Sequence, residues 1–226
     1  MVKNLDLDLS TSVALTNQNT DLNSKASWTP QNSTQTTEGT NWSYDISDNV
    51  ARSMDPGNIY LPGGVGTGTA DSYDNLQGAT SGEPWEFIGN YYNWYAATAG
   101  TGTAAMVTPA TASDSICPKG WKLPDNEGSK SFVNLIFTTY GLIDNDMASV
   151  NKTSQIPLNF TRLGTYHAFN GLVHKRGKDG MWWTTTAFSP ARKAISLTIA
   201  ESITPRVIPQ HPDDKGYGFS IRCVAR

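Results

Sequence analysis

The chain has 226 residues, and its low charge already argues against several functions. Charged residues make up 16% of it, the net charge is -3 at pH 7, and no basic cluster is interleaved with aromatic residues, so nucleic-acid binding is disfavoured. No apolar run approaches the roughly 20 residues of a membrane span, and residues 1–6 carry no signal-peptide core. We expect either a chain that is soluble as made or one whose export or anchoring segment was lost upstream.

The first third of the chain is polar and predicts few regular elements. Apolar residues alternate over residues 5–9, which predicts a half-buried strand. We interpret Trp28 and Trp42 as aromatic anchors in a loop-rich region, because disordered linkers are poor in aromatic residues. Residues 61–68 are so rich in glycine and proline that we expect a loop, and no Gly-Lys-Ser/Thr follows to make it a phosphate-binding loop.

The remainder of the chain predicts short strands and a single helix. Residues 89–99 predict an aromatic strand that runs into a short helical turn, and a loop follows over residues 100–114. The helix is expected over residues 129–140 and ends at Gly141, with one apolar face formed by Phe132, Val133, Ile136, Phe137 and Tyr140. Further strands are predicted around residues 157–162, 164–173, 181–186, 194–199 and 217–224. This content predicts an α+β fold with few helices.

Cys117 and Cys223 are the only cysteines. Neither has the nearby cysteine or histidine residues of a zinc site, so we favour a structural disulfide over two buried thiols or a catalytic cysteine. In the chain-entropy model, a disulfide that closes so long a loop stabilises a fold by about 4 to 5 kcal/mol.

Four ordered motifs carry a resemblance to a known family. They are Tyr-Tyr-Asn-Trp-Tyr-Ala-Ala at 91–97, Cys-Pro-Lys-Gly-Trp-Lys-Leu-Pro at 117–124, Trp-Trp-Thr-Thr-Thr at 182–186 and Phe-Ser-Ile-Arg-Cys-Val at 219–224. In this order they resemble the Fibrobacter succinogenes major paralogous domain family. The resemblance extends upstream to residues 4–7 and favours a single domain over 1–226, in which 1–83 form a polar, loop-rich part and 84–226 the motif-bearing core.

The resemblance implies a C-type lectin-like fold of the formylglycine-generating-enzyme branch, with small twisted sheets, long loops and a disulfide from Cys117 to the final strand. Some proteins of this fold are variable proteins of diversity-generating retroelements, and the chain is suspected to be similar to the archaeal, nanoarchaeal-type ones. In these proteins adenine-directed mutagenesis rewrites surface residues near the C-terminus. Residues 188–193 and 201–215 lie where such proteins present their ligand surface, between the framework segments at 182–183 and 219–223.

The expected contact residues mix aromatic, aliphatic and charged side chains with little periodicity, as a diversified ligand surface does. They are Phe188, Arg192, Glu201, Ile203, Arg206, Ile208, Gln210, His211, Asp213 and Tyr217. Aromatic and arginine side chains dominate the binding energy of protein interfaces. An ordinary solvent-exposed loop has the same composition and stays open as an alternative.

Catalytic and calcium-binding functions have less support. The two cysteines lie in framework motifs, which argues against formylglycine-type cysteine chemistry. A Ser-His-Asp set can be drawn with His167, His174 or His211, but no Gly-x-Ser-x-Gly elbow accompanies it. The pairs Asp144 with Asp146 and Asp213 with Asp214 are acidic, yet solvated loop carboxylates account for them. Residues 210–213 read Gln-His-Pro-Asp and break the calcium motif of sugar-binding lectins, so we expect no cofactor.

We therefore expect a non-enzymatic ligand-binding protein at a cell surface or outside the cell. Its partner is expected to be a protein or glycan on another cell or virus, with neither nucleic acid nor a membrane span involved. The alternative is a structural or adhesive surface protein without a diversified site.

Overall fold

The computed structural model describes residues 4, 5, 7, 9, 14–23, 26–30, 50–54, 89–175, 178–201 and 204–226. Three predictions therefore lie outside the described residues: the anchor Trp42, the loop at 61–68 and the contact residue Ile203.

Short strands dominate the described part of the chain, and three long ones form its centre. The strands are β1 (Leu15–Thr16), β2 (Thr20–Asp21), β3 (Ser27–Trp28), β4 (Ser53–Met54), β5 (Tyr91–Tyr92), β6 (Ser115–Pro118), β7 (Trp121–Lys122), β8 (Thr165–His167), β9 (Leu172–His174), β10 (Gly180–Phe188), β11 (Lys193–Ala200), β12 (Arg206–Asp214) and β13 (Val224–Ala225). The helices are α1 (Trp94–Ala97), a π-helix (Asn134–Thr139) and α2 (Met147–Thr153). Small antiparallel sheets with few helices agree with the α+β prediction.

The central sheet is antiparallel, with the strand order β10-β11-β12. Trp182 lies opposite Leu197, and Ile199 lies opposite Val207. The register shifts between Trp183 and Ala187 on β10, and again where β11 meets β12. The other pairs are β1 with β3, β2 with β6, β4 with β5, β8 with β9 and β7 with β13, and all of them are short two-stranded ribbons.

Strand β12 corrects the expectation of an irregular surface segment over residues 201–215. Nine of these residues form a regular strand, although Pro209 and Pro212 lie within it. Proline lacks an amide hydrogen and is tolerated on edge strands, where that hydrogen has no partner to lose. Among the described strands, β12 pairs with β11 alone and is such an edge. The two prolines hid the strand pattern from sequence reasoning.

Two segments that we predicted as strands do not form regular strands. Residues 157–162 form turn and coil after α2. Most of 217–224 makes only single bridges, such as Tyr92 with Phe219 and Trp182 with Ser220, before β13 begins at Val224. Among the described residues of 5–9 no strand occurs, but the amide of Leu5 donates to the carbonyl of Ile221 over 2.8 Å.

The expected helix over residues 129–140 is replaced by the shorter π-helix. Its bonds span five residues, as from the amide of Tyr140 to the carbonyl of Leu135 over 3.1 Å. The wider turn rotates the apolar face, so that Phe132 and Ile136 are buried while Phe137 is 39% and Tyr140 37% exposed. The prediction of one helix also missed α2, which is too short to show a clear period.

Two apolar clusters lie on opposite sides of the central sheet, because consecutive strand residues point to opposite faces. The helix-side cluster combines Trp182, Leu197, Ile199 and Val207 with residues of the helical region, including Phe132, Ile136, Val150 and Phe160. The disulfide-side cluster contains Trp183, Ala187, Ala194, Trp94, Phe219, Cys117 and Cys223. A disulfide joins Cys117 to Cys223, with 5.9 Å between the Cα atoms.

A buried lysine lies beside the disulfide-side cluster. Lys215 has no exposed surface, and its ammonium group lies 4.8 Å from the centroid of the Trp94 ring. It donates hydrogen bonds to the carbonyls of Thr103 (2.9 Å) and Met106 (2.8 Å) and to the carbonyl of Ala191. Desolvation lowers the pKa of Lys215 to about 8. One side chain thus ties two loops to the start of α1.

Candidate functional site

Strand β12 carries five of the predicted contact residues. Val207 and Pro209 are buried, while Arg206 and Ile208 are partly exposed and Gln210 is exposed. This alternation follows from the two-residue period of a strand. We call Arg206, Ile208 and Gln210 the outer stripe, since they point away from the helix-side cluster that holds Val207.

Beyond the register shift, β12 is fastened to β11 by a polar network in which Ser196 and Asp213 are buried. The carboxylate of Asp213 accepts hydrogen bonds from the hydroxyl of Ser196 (2.6 Å) and is 2.9 Å from Nδ1 of His211. Serine hydrolases place the histidine between serine and aspartate, whereas here the aspartate lies between the other two. Ser196 is fully buried as well. The network is suited to holding the strand.

Arg206 is both a predicted contact residue and part of an ion pair. Its Nε lies 2.9 Å and 3.0 Å from the carboxylate oxygens of Asp144, and Nη2 lies 2.8 Å away. The amide of Val207 donates to the same carboxylate over 3.0 Å. Burial acts to raise the pKa of Asp144, but the hydrogen bonds from Arg206, Val207 and Asn145 outweigh it and keep the pKa below its ordinary value. Asp144 therefore orients the first residue of the outer stripe.

Three further predicted residues lie at the two ends of the sheet. Phe188 and Arg192 are at one end, where Nε of Arg192 lies 3.2 Å from the carboxylate of Asp214. Glu201 is at the other end, paired with Arg162. The ends of β11 are about 23 Å apart at the usual strand rise. The described contact residues on the sheet thus form a line along β12, with Phe188 and Arg192 at one end of the sheet and Glu201 at the other.

The ring of Tyr217 belongs to a separate aromatic group. Its ring stacks on the imidazole of His167, with 4.8 Å between centroids and 3° between planes. His174 lies 4.1 Å from His167, and Phe169 beside them is half-exposed. Burial, followed by the charges of His174 and Lys175, lowers the pKa of His167 to about 4. His167 is consequently neutral at pH 7.

The acidic residues noted in the sequence all have structural partners. Asp146 accepts a hydrogen bond from the amide of Ser149 over 2.7 Å and caps α2. Asp144, Asp213 and Asp214 pair with Arg206, Ser196 and Arg192 as described above. Within the described ranges, no group of three or more His, Cys, Asp or Glu side chains is arranged to hold a metal ion. No described helix is long and apolar enough to cross a membrane.

A cavity of about 320 Å³ was not anticipated from the sequence. It lies between the β7–β13 ribbon and the helical region, and none of the predicted contact residues lines it. The cavity was hard to predict from the sequence, because its walls come from four separate segments around residues 121, 132–140, 157–160 and 222–225.

Comparison with models of known protein families matches residues 16–225 to the Fibrobacter succinogenes major domain. No curated protein and no solved structure matches the chain. The matched range includes all four motifs, both cysteines and the whole central sheet.

Proposed function

The chain belongs to the Fibrobacter succinogenes major domain family, and from this premise we propose that it is a non-enzymatic ligand-binding protein that presents β12 on a C-type lectin-like scaffold. Small antiparallel sheets, long connections and a disulfide next to the last strand support that scaffold. The ligand surface is the outer stripe together with His211, and Phe188 and Arg192 extend it at one end.

The alternation along β12 carries this proposal. Val207 points into the helix-side cluster, whereas its neighbours Arg206 and Ile208 point outward. Side chains of the outer stripe can therefore change without removing a contact from the core. A diversified surface needs a strand whose core face is fixed by packing and whose outer face tolerates substitution. We therefore assign the protein to the retroelement-linked variable proteins.

The chemistry of the outer stripe suits a protein ligand displayed on another cell or virus. Ile208 offers an apolar anchor, with Arg206 and Gln210 about 7 Å to either side along the strand. Arginine is frequent among the residues that dominate interface energy, and polar groups around an apolar centre are the usual arrangement. The ion pair to Asp144 holds Arg206 in place before binding.

The disulfide supports a location outside the cytoplasm. Such bonds form and persist mainly in oxidising environments. The Cys117–Cys223 bond is buried, and each cysteine lies in a framework motif. We accordingly place the protein at a cell surface or in the extracellular space.

Sequencing of sibling gene copies beside any neighbouring reverse-transcriptase gene tests the diversification. We expect adenine-linked changes at the codons for Arg206, Ile208 and Gln210, and constancy at Val207. Changes spread evenly over both faces of β12 would contradict a diversified surface and favour the structural or adhesive alternative.

Binding itself is tested with the purified full chain against glycan arrays, intact microbial cells and phage particles. Ile208→Asp should abolish any interaction found, while Ile156→Asp, the same substitution at a 90% exposed isoleucine away from β12, should leave it intact. Equal binding by both variants would remove the outer stripe from the interaction.

A further inference from the structure

A group of four aromatic rings lies at the β8–β9 hairpin, and none of its members belongs to the outer stripe. The imidazole of His167 stacks on the ring of Tyr217, with 4.8 Å between centroids, and lies 4.1 Å from the imidazole of His174. Phe169, in the turn of the hairpin, lies 5.4 Å from His167 and 6.4 Å from Tyr217. We call His167, Phe169, His174 and Tyr217 the ring cluster.

The ring cluster lies where the hairpin is attached to the segment that follows β12. Tyr166 and Gly218, the neighbours of His167 and Tyr217, exchange two backbone hydrogen bonds of 3.0 Å and 2.8 Å. The apolar cluster at the hairpin is separate from the two large clusters and contains Tyr91, Leu163, Tyr166, Ala168 and Val173. An element with a small core of its own opens locally at a lower free-energy cost than a central strand.

The hydrogen bonds of the ring cluster fit two neutral imidazoles. Nδ1 of His167 is buried and has no hydrogen-bond partner among the described residues. The side-chain oxygen of Asn170 accepts from the backbone amide of Leu172 over 3.0 Å, and the side-chain nitrogen of Asn170 lies 3.1 Å from Nε2 of His174. That nitrogen is a donor, so Nε2 of His174 accepts and carries no proton. Both nitrogens of a charged imidazole are donors, so protonation of either ring leaves a donor without an acceptor.

The charged groups around the hairpin favour the neutral state of His167. Lys175 directly follows His174, and its ammonium group lies 3.2 Å from the carboxylate of the buried Asp179. Burial, followed by the charges of His174 and Lys175, lowers the pKa of His167 to about 4. The other titratable groups packed at the hairpin are phenols, which carry no charge in acid: Tyr91, Tyr166 and Tyr217.

We propose that the ring cluster is an acid-sensitive latch, which holds the β8–β9 hairpin against Gly218 at neutral pH and releases it when His167 and His174 are both protonated. Two imidazolium rings 4.1 Å apart repel each other, and opening lets water solvate both charges. Release separates the stacked rings of His167 and Tyr217 and breaks the backbone bridge from Tyr166 to Gly218. The latch involves no residue of the outer stripe, so it does not depend on the proposed ligand surface.

The pH range of the latch follows from His167. Its pKa is about 4 in the closed hairpin, against an ordinary value of 6.5. Between these values the opened chain binds a proton that the closed chain does not, so opening becomes easier as the pH falls from 6.5 to 4. The stabilisation of the closed state is complete above pH 6.5 and is lost as the pH falls through 4. From pH 7 to 4.5 this linkage increases the opening constant by about 50-fold.

Hydrogen exchange of backbone amides measures the opening in the full chain. NMR spectra at pH 7.0 and 4.5, corrected for the intrinsic exchange rate at each pH, give the protection of the amides of Tyr166 and Gly218. We expect their protection to fall at least tenfold at pH 4.5, while the amides of the central sheet keep theirs within about twofold. Unchanged protection at the bridge, or an equal loss throughout the chain, would overturn the latch.

His167→Phe keeps an aromatic ring in the stack and removes the titrating group. Because Nδ1 of His167 has no hydrogen-bond partner, the substitution removes no bond at that atom. The loss of protection at pH 4.5 should shrink to less than threefold. His211→Phe makes the same change at the histidine of β12 and should retain the loss of at least tenfold. A tenfold loss in His167→Phe would contradict the role of this histidine and overturn the proposal.

Titration of the three histidines in the native chain decides the question if His167→Phe does not fold. His167 should titrate with a midpoint below pH 5 in NMR spectra. The nuclear Overhauser effects between the rings of His167 and Tyr217 should disappear over the same range. A midpoint above pH 5, or ring contacts that persist once His167 is protonated, would overturn the proposal.

Discussion

The two sides of the central sheet are stabilised by different means. On the helix side, Leu197, Ile199 and Val207 meet Phe132 and Phe160 in an apolar cluster, and the buried guanidinium of Arg222 packs against Phe160. The opposite side contains a disulfide, a buried lysine and the polar network of Ser196, His211 and Asp213. The helix side thus relies mainly on packing, whereas the disulfide side adds a covalent bond and a hydrogen-bonded network to an apolar cluster of its own.

The largest effect should come from the covalent part of this difference. Replacing Cys117 and Cys223 together by serine should lower the free energy of unfolding by about 4 to 5 kcal/mol, because the bond closes a loop with a sequence separation of 106. Urea unfolding followed by circular dichroism measures it. Reduction of the native chain should lower its stability by a similar amount, while reductant should leave the serine variant unchanged. A stability loss under 1 kcal/mol would show that packing dominates both sides.

Two neighbouring residues on β12 test how much packing in the helix-side cluster contributes to stability. Val207→Ala should cost about 2 kcal/mol, since it leaves a void in the helix-side cluster. Ile208→Ala should cost well under about 1 kcal/mol, because Ile208 is partly exposed on the outer stripe. Both are measured by thermal unfolding with the disulfide intact. Equal costs would contradict the division of β12 into a core face and an outer face.

Alkaline pH should act on the disulfide side through Lys215. The pKa of Lys215 is about 8 in the folded chain and about 10.5 in the unfolded chain. Between these values the unfolded chain binds a proton that the folded chain does not. The free energy of unfolding should therefore rise as the pH increases from 8 to 10.5, and this gain should be lost as the pH falls back through 8. Lys215→Met should flatten this rise, measured by urea unfolding from pH 7.5 to 10.5. The same rise in both proteins would assign it to another group.

An effect smaller than that of Val207→Ala should come from the polar network. Asp213→Asn should cost about 1 kcal/mol at pH 7, because Ser196 and His211 lose a charged acceptor but keep a neutral one. Ser196→Ala is the matched change on the neighbouring strand. Coupling between the two, measured by a double-mutant cycle, should be positive; strict additivity would show that the network does not act as a unit.

Local signals made part of this fold predictable. The aromatic strand and short helical turn after residue 89 appear as β5 and α1, because Asn93 caps the turn by accepting a hydrogen bond from the amide of Ala96 over 2.9 Å. The strands around Trp182 and Ile199 were predictable from their apolar composition and appear as β10 and β11.

Long-range pairing accounts for most of what sequence reasoning missed. Arg206 meets Asp144 across 62 residues, and Lys215 reaches a carbonyl 112 residues earlier. Nothing in the local pattern around either residue indicates such partners. Strand β12 was missed because its prolines are compatible with a strand only at a sheet edge, and a sheet edge is known only once the topology is known. The cavity between the β7–β13 ribbon and the helical region is formed by four segments and could not be predicted from local patterns for the same reason.

The prolines of β12 also influence how copies of this protein behave when crowded together. An open strand edge offers amide and carbonyl groups on which another molecule can add a strand, and this is a common route to aggregation. Pro209 and Pro212 each remove an amide donor from β12. Where many copies of this protein lie close together, the two prolines therefore hinder pairing between the β12 edges of neighbouring copies. The side chains of the outer stripe remain available for contact with a partner.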